Sequence, residues 1–153
     1  GRMAVESVTD ETPGYEFALG KAAMLRDGSD VTIAATGLMV QRAVAAADML
    51  AGQGVSARVL DVHTIKPLDT EAIIAAARET GCIVTSEEHS VIGGLGSAVA
   101  SVCAENCPVP VLRHGVNDEF GRSGTAELVL RAYGLTAEVI AEKAMKAVAL
   151  KNK

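Results

Sequence analysis

The sequence predicts an α/β domain with a mainly parallel sheet and helices on both of its faces. Short runs of β-branched and aliphatic residues alternate along the chain with segments whose apolar residues recur at helical spacing. The strand runs are apolar nearly throughout, as expected for parallel strands that are buried on both faces. The 153 residues suffice for one domain, and its core must be aliphatic because only 3% of residues are aromatic.

The elements follow one another with clear start and stop signals. Residues 1–14 are polar and end in Pro-Gly, which is typical of a linker or arm, so we expect the domain to cover residues 15–150. A short strand is predicted within 15–28, and the longer strand runs are residues 31–37, 55–62, 82–88 and 109–116. Helices are predicted at residues 38–54, 67–81, 95–106, 126–134 and 136–150, with Asp69 or Thr70 as cap of the second and Gly81 as its end.

The charge and cysteine content exclude several classes of function. The net charge of −5 provides no basic surface for nucleic acid or for an anionic membrane. No apolar run approaches the roughly 18 residues of a membrane span, and the first residues lack the apolar core of a signal peptide. The three cysteines, Cys82, Cys103 and Cys107, form neither a disulfide framework nor a zinc-ligand cluster. We therefore expect buried, reduced thiols and a cytoplasmic protein.

A glycine-rich stretch, "EEHSVIGGLGSAVA" at residues 87–100, resembles a phosphate loop only superficially. The dinucleotide fingerprint requires Gly-x-Gly-x-x-Gly after the first strand, but Gly94 and Gly96 follow a later strand, and Val99 stands at the third glycine position. The structural interpretation is that these glycines let the strand turn into a helix. The N–H groups of Gly96 and Ser97 at that helix start keep weak anion binding open.

Polar side chains stand where predicted strands end. Glu87, Glu88 and His89 stand at the end of the third long strand run, and His63 lies just past the end of the second. In open α/β sheets this edge binds ligands, although a solvated loop explains the same residues. His114 lies inside a strand and is predicted to be a hydrogen-bonded core residue. We find no nucleophile elbow and no histidine cluster, so the residues alone predict no complete catalytic or metal site.

Four segments in order resemble one family, the C-terminal domain of transketolase and its thiamine-diphosphate relatives. The segments "GKAAMLRDGSDVTIAATG", "LDVHTIKPLD" and "EEHSVIGGLGSAVA" are also similar to the beta chain of 2-oxoacid dehydrogenases. The fourth segment, residues 115–138 with Asp118, Phe120 and Tyr133-Gly134, is more similar to transketolase. The resemblance is closest to the C-terminal subunit of split transketolases, whose enzyme is divided between two chains.

This resemblance implies a fold and a division of labour. It implies a three-layer α/β/α domain with a five-stranded, mostly parallel sheet and one antiparallel edge strand. Thiamine diphosphate and magnesium would be bound by preceding domains or a separate N-terminal subunit, so the isolated fragment would be inactive and would carry no catalytic, cofactor or metal residue. The interface or strand-end candidates, facing neighbouring domains or a homodimer partner, are His63, Glu87, Glu88, His89, Gly93 and Gly94.

The opening "GRMAV" resembles the junction between the pyrimidine-binding domain and the C-terminal domain of transketolases. An arginine at that junction contacts the sugar phosphate in the family, and Arg2 falls on it. Glu6 stands where the family has a proline. The match implies that the native chain begins upstream of Gly1.

The leading hypothesis is therefore a transketolase-type C-terminal domain, in an enzyme that transfers two-carbon ketol units between sugar phosphates. Within the same cofactor class, the alternatives are a 2-oxoacid dehydrogenase beta chain and deoxyxylulose-phosphate synthase. A regulatory module that binds a small ligand at the strand ends is an alternative of another class. A nucleotide-binding domain is disfavoured by the glycine spacing.

Overall fold

The computed structural model describes residues 15–151, so the predicted arm at residues 1–14, with Arg2, lies outside the described residues. The five strands are β1 (Ala23–Arg26), β2 (Val31–Ala35), β3 (Ala57–Asp61), β4 (Ile83–Ser90) and β5 (Val111–Val116). The five helices are α1 (Met39–Ala51), α2 (Thr70–Thr80), α3 (Leu95–Asn106), α4 (Ala126–Ala132) and α5 (Ala137–Lys151).

The strands form one sheet in the order β1-β3-β2-β4-β5. Strand β2 pairs in parallel with β3 on one side and with β4 on the other, and β4 pairs in parallel with β5. Strand β1 is the antiparallel edge strand, with Ala23 opposite Asp61. The expected five-stranded, mostly parallel sheet is thus confirmed, as is its antiparallel edge strand.

Two aliphatic cores lie on opposite faces of the sheet. One packs α1 and α5 against β2, with Ile33, Met39 and Leu50 fully buried. The other packs α2 and α3 against the sheet through Ile73, Leu95 and their neighbours. Every residue of β2 is buried, because this central parallel strand is covered on both faces. The predicted three-layer arrangement is therefore present.

Helix α2 shows how local signals set the boundaries of an element. The Asp69 side chain accepts the N–H of Ala72 and caps the first turn. Gly81 ends the helix in the left-handed conformation, φ 71°, which glycine adopts without steric cost. Strand β4 runs two residues beyond its predicted end, because Ser90 still pairs with Val116 after an irregular step in the ladder.

The cysteines are free, as expected, and two of the three are buried. Burial raises the pKa of the Cys82 and Cys103 thiols, so they are held in the unreactive, protonated form. Within residues 15–151, no helix is long and apolar enough to cross a membrane.

Candidate functional site

The carboxyl ends of the parallel strands bring the predicted polar residues to one edge of the sheet. His63 follows β3, the residues from Glu87 onward form the end of β4, and the segment 117–125 leaves β5. Strands β4 and β5 are held together beyond the regular ladder, where the N–H of Val91 donates to the carbonyl of Val116 at 3.0 Å. This carboxyl edge is the candidate functional site.

Glu87 is fully buried, and both of its carboxylate oxygens accept backbone hydrogen bonds. Its Oε2 accepts the N–H of Leu95 at 2.8 Å, and its Oε1 accepts the N–H of Gly96 at 2.9 Å. The carboxylate therefore caps the first turn of α3, where N–H groups lack intrahelical partners and the helix dipole favours negative charge. The expectation of weak anion binding at the Gly96 N–H group is therefore wrong, because this group already donates to the Glu87 carboxylate.

The two central glycines of the stretch make this cap possible. A Cβ atom on Gly94 would lie 1.9 Å from Glu87 Oε2, so only glycine leaves room for the carboxylate. Gly93 is exposed and takes a positive φ of 76°, and its N–H donates to Ser97 Oγ at 3.0 Å. The Ser97 hydroxyl in turn donates to the carbonyl of Val91. The glycines allow the chain to turn from β4 into α3, which confirms the structural interpretation of this stretch.

Glu88 and His89, the next two residues of β4, are exposed to solvent. The backbone beneath them is closely packed, because a Cβ on Gly115 would lie 2.8 Å from the carbonyl oxygen of His89. These two side chains are thus exposed at a strand end whose backbone is closely packed. Their role in an interface stays a prediction.

His114 is a core residue, as predicted, with 2% of its surface exposed. Its Nδ1 lies 2.9 Å from Ser86 Oγ, and its Nε2 lies 2.9 Å from the carbonyl oxygen of Gly134. Because a carbonyl only accepts, Nε2 carries the proton and the Ser86 hydroxyl donates to Nδ1. Burial lowers the histidine pKa, and the Lys143 charge acts in the same direction, while the bond to Gly134 opposes them.

His63 is half-buried at the carboxyl end of β3. Its Nδ1 lies 2.8 Å from Thr64 Oγ1, and its ring lies 4.9 Å from the Phe17 ring, tilted by 37°. Its Nε2 atom is buried and has no hydrogen-bond partner among residues 15–151. His63 is therefore separate from the contacts that Glu87 and His114 make.

The segment 117–125 was not selected as a site from the sequence, yet it is a defined feature of this edge. Phe120 is 97% exposed, while its carbonyl accepts the Tyr133 hydroxyl at 2.7 Å. The Arg122 guanidinium lies 5.2 Å from the Tyr133 ring centre, within cation–π range. The signal that could have revealed it is a phenylalanine inside the polar run "NDEFGRSG".

A polar cleft of about 320 Å³ lies at the opposite, amino end of the sheet. Its central cation, Arg58, is already paired, with Nη2 2.8 Å from Asp27 and Nη1 2.6 Å from Glu79. The bond to Arg58 lowers the pKa of Asp27. Within residues 15–151, no group of His, Cys, Asp or Glu residues is arranged to hold a metal ion.

Known proteins match the chain over nearly its whole length. The family model of the transketolase C-terminal domain matches residues 20–140. The chain is 54% identical over 146 residues to the 6-deoxy-6-sulfo-D-fructose transketolase subunit SqwH of Clostridium sp., covering 95% of the chain and 45% of that protein. It is 48% identical over 146 residues to an apulose-4-phosphate transketolase subunit of Phocaeicola vulgatus, covering 95% of the chain and 46% of that protein. The chain thus spans about half the length of these curated relatives.

The chain also matches a second kind of enzyme, over fewer residues than it matches the transketolase subunits. The 1-deoxy-D-xylulose-5-phosphate synthase of Syntrophotalea carbinolica is 48% identical over 124 residues, which cover 80% of the chain and 20% of that enzyme. Among solved structures, a split-gene transketolase described as an inactive tetramer superposes with a TM-score of 0.89 at 48% identity. This match covers 96% of the chain and 47% of the chain compared.

Proposed function

The chain belongs to the transketolase C-terminal domain family, and we propose that it is the C-terminal domain of a split transketolase that transfers two-carbon ketol units between sugar phosphates. The observation that carries the proposal is a match of 95% of the chain to transketolase subunits, of which it spans 45–46%. Both subunits act on sugars according to their names. The free thiols fit a reducing cytoplasm.

In this proposal, thiamine diphosphate and magnesium are bound by other domains, and this domain supports assembly. The two buried groups best suited to acid–base chemistry, Glu87 and His114, are both engaged in internal hydrogen bonds. Glu88 and His89 are exposed at the carboxyl edge, where they can contact a neighbouring domain or a second copy. The tetramer described for the split-gene relative supports self-association.

Deoxyxylulose-phosphate synthase is the second candidate, because its sequence is 48% identical over 124 residues. That match leaves a fifth of the chain unmatched and corresponds to only 20% of a much longer enzyme. The transketolase subunits match the chain more completely. We therefore favour transketolase chemistry.

The test is reconstitution of the full-length subunit that contains this sequence with its N-terminal partner subunit. We expect ketol transfer between sugar phosphates from the mixture with thiamine diphosphate and magnesium, and none from the 153-residue chain. Calorimetry should detect no micromolar cofactor binding to that chain alone. Light scattering of the mixture with His89→Ala should show weakened assembly. Synthase activity with pyruvate and glyceraldehyde phosphate, without ketol transfer, would favour the second candidate instead.

Arg2 is proposed to bind the substrate phosphate in the complete enzyme. A guanidinium presents a planar fork of donors that fits phosphate oxygens, and it stays charged at any working pH. Such a contact far from the reacting carbon would position the sugar rather than take part in bond making. The support is the resemblance of "GRMAV" to the interdomain junction of transketolases.

The Arg2→Ala variant of the reconstituted enzyme tests this role. A charge-assisted hydrogen bond is worth about 1.5–3 kcal/mol, so kcat/KM for a phosphorylated donor should fall roughly ten- to a hundredfold. Hydroxypyruvate, a donor without phosphate, should be nearly unaffected. The matched control is Arg78→Ala, which removes an exposed arginine from the last turn of α2. Equal losses on both donors would show that Arg2 does not recognise the phosphate.

A further inference from the structure

The chain comes into the domain at the carboxyl edge of the sheet. The N–H of Ala22 donates to Asp69 Oδ2 at 2.9 Å, which anchors the incoming backbone to the start of α2. The next residue, Ala23, begins β1 opposite Asp61, the last residue of β3. Because β1 is antiparallel to β3, it runs away from the carboxyl edge. The segment 15–22 therefore enters the sheet from this edge.

Two large apolar side chains of the incoming segment are left in solvent. Phe17 is 62% exposed and Leu19 is 73% exposed. The Phe17 ring lies 4.9 Å from the His63 ring. Leu19 is next to Gly20, whose N–H donates to the hydroxyl of Thr64. We call the surface formed by Phe17, Leu19 and His63 the entrance corner. Covering the exposed parts of a phenylalanine and a leucine would stabilise a contact, because apolar surface is removed from water.

The ring of His63 adds a polar atom that needs a hydrogen-bond partner to this apolar corner. The Thr64 hydroxyl accepts the N–H of Gly20 at 3.4 Å and lies 2.8 Å from His63 Nδ1. The Thr64 hydroxyl is able either to donate to Nδ1 or to accept from it, so Nε2 is a donor in one ring tautomer and an acceptor in the other. That Nε2 is buried and unpaired within the described part of the chain. A buried polar atom without a partner is unfavourable, so the corner favours a partner that supplies a hydrogen-bonding group to Nε2.

We propose that the domain preceding Tyr15 in the longer transketolase subunits docks on the entrance corner. It covers Phe17 and Leu19 and presents a hydrogen-bonding group to His63 Nε2. Two observations identify this occupant: the chain enters the sheet here, and the relatives are about twice as long as the matched segment. The inference rests on the proposed function only in taking the chain to be part of such a longer subunit.

Hydrogen exchange read by mass spectrometry tests the docking. Amide exchange over residues 15–22 and 60–69 is compared between the 153-residue chain and the full-length subunit. We expect at least tenfold slower exchange at both segments in the longer protein, and the slowing should be lost in Phe17→Ser. Leu128→Ser is the matched control, because Leu128 is equally exposed, at 64%, but lies on α4.

Two further variants isolate the histidine. His63→Gln keeps a hydrogen-bonding amide near the Nε2 position, whereas His63→Asn places its amide near Nδ1 and leaves no such group near Nε2. In the full-length subunit, protection should survive in the glutamine variant and fall at least fivefold in the asparagine variant. In the 153-residue chain, the two variants should exchange alike.

The outcomes separate this inference from the proposed function. Equal exchange in the long and short proteins would overturn the docking, even if the reconstituted enzyme transfers ketol units. Protection that appears in the short chain and rises with its concentration would assign the corner to a second copy, which also overturns it. Docking with normal protection but without ketol transfer would refute only the proposed function.

Discussion

At the scale of the residue, Glu87 shows that a conspicuous carboxylate can be a structural cap. The variant Glu87→Gln replaces one accepting oxygen by an amide that faces a backbone N–H of α3. We expect the free energy of unfolding to fall by about 1–3 kcal/mol, because a buried donor loses its acceptor. Urea denaturation measures the change.

The neighbouring residue is the control for this substitution. Glu88→Gln alters an exposed side chain and should change the free energy of unfolding by less than about 0.5 kcal/mol. Equal effects of the two substitutions would contradict the capping role of Glu87. Gly94→Ala should destabilise the fold as well, because its Cβ would overlap the Glu87 carboxylate.

His114 makes stability depend on pH. Its folded pKa lies below the usual 6.5, so folded and unfolded chains are both neutral at this position at higher pH. As pH falls below 6.5, the unfolded chain binds a proton that the folded chain refuses, and the His114 contribution to stability decreases. The slope is at most about 1.4 kcal/mol per pH unit and ends once pH passes the folded pKa.

Urea midpoints between about pH 7.5 and 5 measure this contribution. His114→Gln retains a donor near the Nε2 position but has no titrating ring, so its stability should be lower at neutral pH and should fall less on acidification. The His114 ring signals in NMR should titrate below pH 6.5. A ring that titrates above that value would contradict the inferred effect of burial.

At the scale of the element, Asp69 joins two parts of the chain. It caps α2 through the N–H of Ala72 and also accepts the N–H of Ala22 from the segment before β1. Asp69→Ala should lower the free energy of unfolding by about 1–2 kcal/mol, because loss of a cap alone costs about 0.5–2 kcal/mol and the bond from Ala22 is lost as well. Asp69→Asn keeps an acceptor and should lose less.

Thermal denaturation of the two variants checks this order. Equal destabilisation by alanine and asparagine would show that Lys21, which lies 3.7 Å from the Asp69 carboxylate, matters more than the cap. That outcome is not expected because Lys21 is 58% exposed, and exposed ion pairs contribute little.

The segment 117–125, which follows β5, is held by contacts with Tyr133. Its residues carry no regular structure, yet the hydroxyl and ring of Tyr133 hold it through Phe120 and Arg122. Periodicity does not identify such a segment, because its contacts come from the turn between α4 and α5. A phenylalanine among polar residues is the sequence signal, but the sequence does not tell whether its side chain is buried or exposed. The fold shows that Phe120 is exposed.

At the scale of the whole molecule, the fold separates two edges of the sheet with different character. At the amino end, Arg58 is paired with two acidic side chains and closes the polar cleft with matched charges. The carboxyl edge carries the exposed side chains of Glu88, His89 and Phe120 and receives the incoming chain. Because the exposed side chains and the incoming chain lie at the carboxyl edge, our proposals place the contacts with other domains there.

The sequence by itself determined the alternation of strands and helices, the caps of α2 and the family. These are local features: apolar periodicity, an aspartate before a helix and a glycine after it act over a few residues. The antiparallel edge strand came from the resemblance, because nothing in the residues 23–26 sets the direction of pairing.

The tertiary structure decided which polar groups meet. Glu87 reaches the N–H groups of Leu95 and Gly96 only because β4 and α3 pack closely, and His114 joins Ser86 to Gly134 across 28 and 20 residues of chain. Such contacts depend on strand register and on the close approach of elements, which side-chain periodicity does not encode. For that reason the sequence located the carboxyl edge and predicted His114 as a core residue, while the structure assigned Glu87 to the fold and identified the partners of His114. The structure also leaves His63 Nε2 without a partner among residues 15–151.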